Sequence, residues 1–145
     1  MKHLIKNKDG SVAIMVTNSP DVDPAAEVEK WEADMKDKYE GHRELLDEEI
    51  PDYYFQDAFS HKDDVLLIDM PKAREVHKNK LRQLREPLMR TLDFVYNEAL
   101  SKRDEKAQLD AIAKKDQLRQ VTSSPEIENA QTPEELKSFL PDFLL

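Results

Sequence analysis

A chain of 145 residues suits one domain, or one small domain with helical extensions, and this one carries 31 acidic against 22 basic side chains. The net charge of −9 repels polyanions, which argues against general affinity for nucleic acid or anionic membrane. Without cysteine there is no disulfide, thiolate metal site or cysteine nucleophile, and no apolar run reaches the ~20 residues of a membrane span.

The N-terminus is too short and too interrupted by charge for a signal peptide, so a soluble protein is expected. Charged residues make up 37% of the chain and glycine occurs only twice, which favours helix. Charge is unevenly spread. Met1–Asp69 holds 18 acidic and 8 basic residues, Met70–Arg103 holds 4 and 9, and Asp104–Leu145 holds 9 and 5. An acidic front and a basic middle can neutralise each other within a subunit or between subunits.

In chain order, Leu4-Ile5 and Val12 to Val16 flank Asp9-Gly10, a β-hairpin signal. Asp23-Pro24 reads as N-cap and first residue of a helix to about Tyr39, with Val28, Trp31, Met35 and Tyr39 on one stripe and Gly41 closing it. His42 to Leu46 and Val65 to Ile68 are strand candidates, separated by the aromatic segment Tyr53–Phe59 and a turn at His61–Asp64. The first half, 1–69, is therefore expected to be a small α+β unit.

The second half, 70–145, reads as helical. Asp69 caps a long basic helix whose apolar stripe is Ala73, Leu81, Leu84, Leu88, Leu92, Val95 and Ala99, with His77 filling one slot as a packing residue. Pro87 should kink it, since it offers no N–H to Gln83, but the stripe keeps its phase and one bent helix is expected. Asp104 caps a second, antiparallel helix to about Val121, with Leu109, Ile112, Ala113 and Leu118 expected inward. Thr122 to Pro125 breaks the pattern. Thr132-Pro133-Glu134-Glu135 gives a capping box for a short helix to Leu140, and Phe143-Leu144-Leu145 should tuck against the helical hairpin or a neighbour. The expected fold is α+β and mostly helical: a hairpin–helix unit, a long kinked helix, an antiparallel second helix and a short C-terminal helix.

Chemistry is sparse. His3, His42, His61 and His77 lack metal-ligand spacing, and the carboxylate runs Asp47–Asp52 and Asp63-Asp64 lie on polar loops. No serine sits in a nucleophile motif and no glycine-rich phosphate loop occurs, so no enzyme, cofactor or metal is expected. Were the chain an enzyme, His61 and the front carboxylates would be its only parts. The strongest site-like feature is Arg74, Lys78, Arg82 and Arg85 along one flank of the long helix. Such a row serves an acidic protein face, a nucleic-acid backbone or the chain's own fold, with stems covering the apolar edge. Nucleic acid is the weaker partner, because no aromatic residues interleave with the basic ones.

Three stretches carry a family resemblance. They are the opening DGSVAIMV followed by PAAEVEKW, then Ile50-Pro51-Asp52 with Phe55-Gln56-Asp57-Ala58-Phe59, then the run from DMPKAREVH through LRQLREPLMRTLD to DQLRQVTSSPEIENAQTPEELKSFLP. Together they resemble small virion and tail-associated proteins of tailed bacteriophages and prophages, of the tail-assembly-chaperone or tail-fibre-associated kind. The chain departs from that pattern in its α+β front, and in Phe139-Leu140 where a tryptophan often precedes the terminal proline.

The resemblance implies a non-enzymatic structural or assembly protein of the virion, or of the host cytoplasm during assembly. Its partners would be other phage structural or tail proteins, or further copies of itself. The residues expected to bind them are Arg74, Lys78, Arg82 and Arg85 by charge, and Phe139, Leu140, Phe143, Leu144 and Leu145 by apolar contact. The alternative is a nucleic-acid-binding regulator using the basic helix 72–90.

Overall fold

Gly10 turns the chain at φ +84°, a conformation open to glycine without strain, and its N–H donates to Asn7 O at 3.0 Å. The turn joins β1 (Lys2–Asn7) to β2 (Val12–Val16) in an antiparallel hairpin with Leu4 opposite Ile14. A computed structural model describes residues 1–145, which fall into two compact units, Met1–Lys72 and Ala73–Leu145. The division lies inside the first turn of the long helix rather than at its cap.

In the first unit the sequence between Pro24 and Tyr39 forms two short helices rather than one, α1 (Pro24–Val28) and α2 (Ala33–Lys38). Val28 is buried, but α2 buries none of its residues and Met35 is exposed, so nothing holds the two in one line. Tyr39, expected to end the helix, instead starts β3 (Tyr39–Glu44), and Gly41 lies within that strand. The sheet order is β2-β1-β3, all antiparallel. Alternation along β1 sends Leu4 to one face and Ile5 to the other, and both are fully buried.

On the Leu4 face, Leu45, Phe59 and Leu66 complete a core flanked by Val12, Ile14, Ile50 and Ile68. Phe59 and Leu66 belong to a second hairpin, β4 (Phe59–Lys62) and β5 (Val65–Ile68), turned by Asp63 and Asp64, both at positive φ. The aromatic segment before it is a 3-10 turn, Tyr53–Ala58, that buries Phe55 and Ala58.

The second unit is built on α3 (Met70–Ser101), which runs through Pro87 as one helix about 48 Å long. After it come α4 (Glu105–Gln120), α5 (Pro125–Asn129) and α6 (Pro133–Ser138). The expected caps are present: Asp69 accepts from Lys72 N, Asp104 from Ala107 N and Thr132 from Glu135 N. Glu135 reaches back to the Gln131 N–H, one residue beyond the N-cap N–H of the expected reciprocal bond. α5 was not legible in the sequence, and α6 stops before Leu140.

The inward face of α4 also differs from expectation. Ala111 and Leu118 are buried, whereas Leu109, Ile112 and Ala113 face solvent. Apolar residues occur all round this helix, so periodicity selects no single face, and small alanines at 107 and 111 take the inner positions. On α3, Ala73, His77, Leu81 and Ala99 are buried, but Leu84 and Val95 remain exposed. No helix is long and apolar enough to cross a membrane.

Candidate functional site

The basic flank of α3 is occupied largely by its own unit. Arg74 donates from Nε to Ile127 O at 3.3 Å and from Nη2 to Ala130 O at 3.1 Å, where α5 ends. Arg85 Nη1 reaches Leu118 O and Arg119 O at 3.3 and 3.2 Å, in the last turn of α4. His77 Nε2 lies 2.8 Å from Phe139 O, the carbonyl just past α6. A carbonyl only accepts, so Nε2 carries the proton here. Three residues along one helix thus supply a donor to the C-terminal end of each later helix. Those ends expose orphan carbonyls and the negative pole of the helix dipole, which is where cations and donors are most effective.

Lys78 sits between Glu128 at 2.8 Å and Glu75 at 3.4 Å, and this pairing holds the Glu128 carboxyl below its ordinary range and the Lys78 ammonium above its own. Arg82 is the outward member of the row, bonded to Asn79 Oδ1 at 2.5 Å and 3.9 Å from Glu75. The apolar end is divided in the same way. Leu144 is buried and Phe139 is partly covered with its ring edge-on to His77, whereas Leu140, Phe143 and Leu145 remain exposed. Phe143 helps to line a groove of about 310 Å³ with Leu88, Leu92 and Leu118, to which Lys114 and Gln117 also contribute.

His77 is 2% exposed, and burial pushes its pKa below the ordinary value, partly offset by the bond to Phe139 O. The unfolded chain therefore binds this proton more readily than the folded one. Stability associated with neutral His77 is complete above pH ~6.5 and falls as pH drops through the lowered folded-state pKa. Carboxylates such as Glu128, whose pKa is also lowered, act only below their own range near pH 4.5. Thermal melts should show a loss of stability that starts just below pH ~6.5 in the wild type and is absent in His77→Gln. Parallel pH profiles for the two proteins would refute this assignment.

The remaining titratable side chains are scattered. Tyr39 Oη lies 2.7 Å from His42 Nδ1, and burial raises the Tyr39 pKa. His61 Nε2 faces Asn7 O at 2.8 Å and Glu40 at 3.5 Å, while Asp64 pairs with Lys6. No group of three or more histidine, aspartate or glutamate side chains is placed to hold a metal ion.

Sequence reasoning missed the solvent-facing apolar residues near the α3–α4 turn. Phe94 is 67% exposed, Leu109 66% and Leu100 53%, with Val95 and Ile112 also exposed. The signal was present, since Phe94 and Leu100 lie off the apolar stripe of α3. Comparison with protein-family models, curated proteins and solved structures gives no match to this chain.

Proposed function

We propose that this chain is a non-enzymatic structural or assembly protein of the tailed-bacteriophage virion or tail kind, acting through protein–protein contacts of its helical unit. The observation that carries the reading is the exposed apolar set Phe94, Leu100 and Leu109 with Val95 and Ile112. Large apolar side chains exposed on two consecutive helices contribute affinity once a partner covers them. The unit that bears them has thirteen basic and thirteen acidic residues, so no net charge opposes a partner of either sign. Arg82, Leu140, Phe143 and Leu145, which face solvent, extend the proposed contact, and the remaining basic and apolar candidates support it from within. The nucleic-acid alternative is weakened because Arg74, Lys78 and Arg85 are engaged inside the unit.

The test is affinity capture from prophage-carrying or infected cells with the whole chain and with a Phe94→Glu/Leu109→Glu variant. Both substitutions replace exposed side chains and should change stability by no more than ~0.5 kcal/mol each. The expected result is capture of identified virion or tail proteins by the wild type and at least a tenfold loss with the variant. Equal capture by both proteins, or recovery of nucleic acid that falls steeply with salt, would overturn the proposal.

A further inference from the structure

The first unit contains a sheet edge that is covered only at its start. Met1 and Thr17 exchange both backbone bonds at 2.8 Å, and Asn7 N–H donates to Ser11 O at 3.0 Å. In an antiparallel pair, bonded and non-bonded positions alternate. Ser11, Ala13, Met15 and Thr17 therefore point their backbone groups at β1, while Val12, Ile14 and Val16 point theirs outward. At its start the outer edge is occupied, because Ser11 bridges to Ser60 and His61 N–H donates to Gly10 O at 3.1 Å. Beyond that bridge, the outward N–H and C=O of Ile14 and Val16 meet no partner in the molecule.

Sheet edges are usually protected by charge, proline, a bulge or a covering segment. β2 reads Val-Ala-Ile-Met-Val, pairs with β1 in unbroken register and leaves Val16 64% exposed. The opposite edge strand, β3, carries Glu40, His42, Arg43 and Glu44, and its pairing with β1 shifts at Lys6/Asn7. Alongside β2 runs a groove of about 330 Å³ lined by Ile14, Val16, Tyr53 and Phe59 among others.

We infer that the outer edge of β2 pairs with β2 of a second copy, antiparallel about a two-fold axis at Met15, joining two three-stranded sheets into one of six strands. This register sets Ile14 opposite Val16 of the other copy, so all four open backbone groups on each copy find partners. It also stops two residues short of the bridge to Ser60. Bonded pairs project to the same face, so the second copy's isoleucine and valine side chains enter the groove beside Tyr53 and Phe59. The strand suits itself as a partner because it has no charge and matches β-branched residues with β-branched residues. The surrounding unit, with nine basic and 18 acidic residues, opposes the approach of a like copy, so salt should tighten this contact. The contact is separate from the helical surface proposed above and stands or falls without it.

Sedimentation equilibrium of the whole chain tests it. The expected result is a mass that doubles with concentration, at a midpoint that falls as salt rises. Val16→Pro removes an N–H that bonds to nothing within the copy, so it should raise that midpoint by about tenfold or more while leaving the melting curve unchanged. Val16→Lys is the second variant should proline disturb the strand. Because the chain has no cysteine, Met15→Cys should give a disulfide-linked dimer on mild oxidation. Ala13→Cys, whose two copies lie roughly four residues apart along the strands, should not. A monomer at every concentration with both cysteine variants uncoupled would overturn the inference. So would a dimer that ignores both Val16 changes and cross-links equally from either cysteine.

Discussion

Phe55→Ala should remove ~3–5 kcal/mol from the first unit, the usual cost of deleting a buried phenylalanine ring. Phe55 is 1% exposed and the largest fully buried side chain of the chain, and it packs edge-on to Tyr54 with ring centroids 4.7 Å apart. A folded segment of this size has a total stability of roughly 4–11 kcal/mol, so the loss consumes a large part of it. The 3-10 turn carrying Phe55 cannot collapse to refill the space without moving Ala58, which is also buried. Trp31 is the single tryptophan and lies in this unit, so its fluorescence follows the relevant transition. In urea, the Trp31 midpoint of the variant should fall sharply with little change in slope. A midpoint within error of the wild type would show that Phe55 does not anchor the unit.

The features legible in the sequence are those decided by a few neighbouring residues. Asp23, Asp69, Asp104 and Thr132 cap helices because a short polar side chain can reach an N–H two or three residues on, whatever lies further away. Gly10 marks the hairpin for a similarly local reason. The long periodic helix is legible because its apolar stripe outlasts Pro87. What failed needed distant partners. A helix of five residues such as α5 is unstable alone, and it exists where Ile127 is buried and Arg74 satisfies its last carbonyls. Apolar residues surround α4, so of its four expected inward residues only Leu118 is buried, and Ala111 takes the inner position beside it in place of Leu109, Ile112 and Ala113. The basic row of α3 is visible as a row, but the targets of Arg74 and Arg85 are backbone carbonyls, which any residue type offers. Those two of its four members could therefore not be assigned from sequence.

That row yields the second large effect. Arg74→Met should cost ~2–3 kcal/mol, whereas Arg82→Met should stay within ~0.5 kcal/mol. Both changes keep the aliphatic stem and remove one positive charge, so charge loss alone predicts equal effects. The difference lies in what each guanidinium touches. Arg74 bonds two carbonyls at the end of α5, and Ile127 and Ala130, which own them, are buried, so its removal strands acceptors that water reaches poorly. Arg82 touches Asn79 and approaches Glu75, both exposed, and water replaces those contacts at little cost. Urea unfolding followed by helical circular dichroism measures both variants directly. A row serving only an external partner would leave both midpoints unmoved and lower binding in each. A row that serves the fold at Arg74 and a partner at Arg82 separates the two: the first variant loses stability, and the second keeps it while losing affinity.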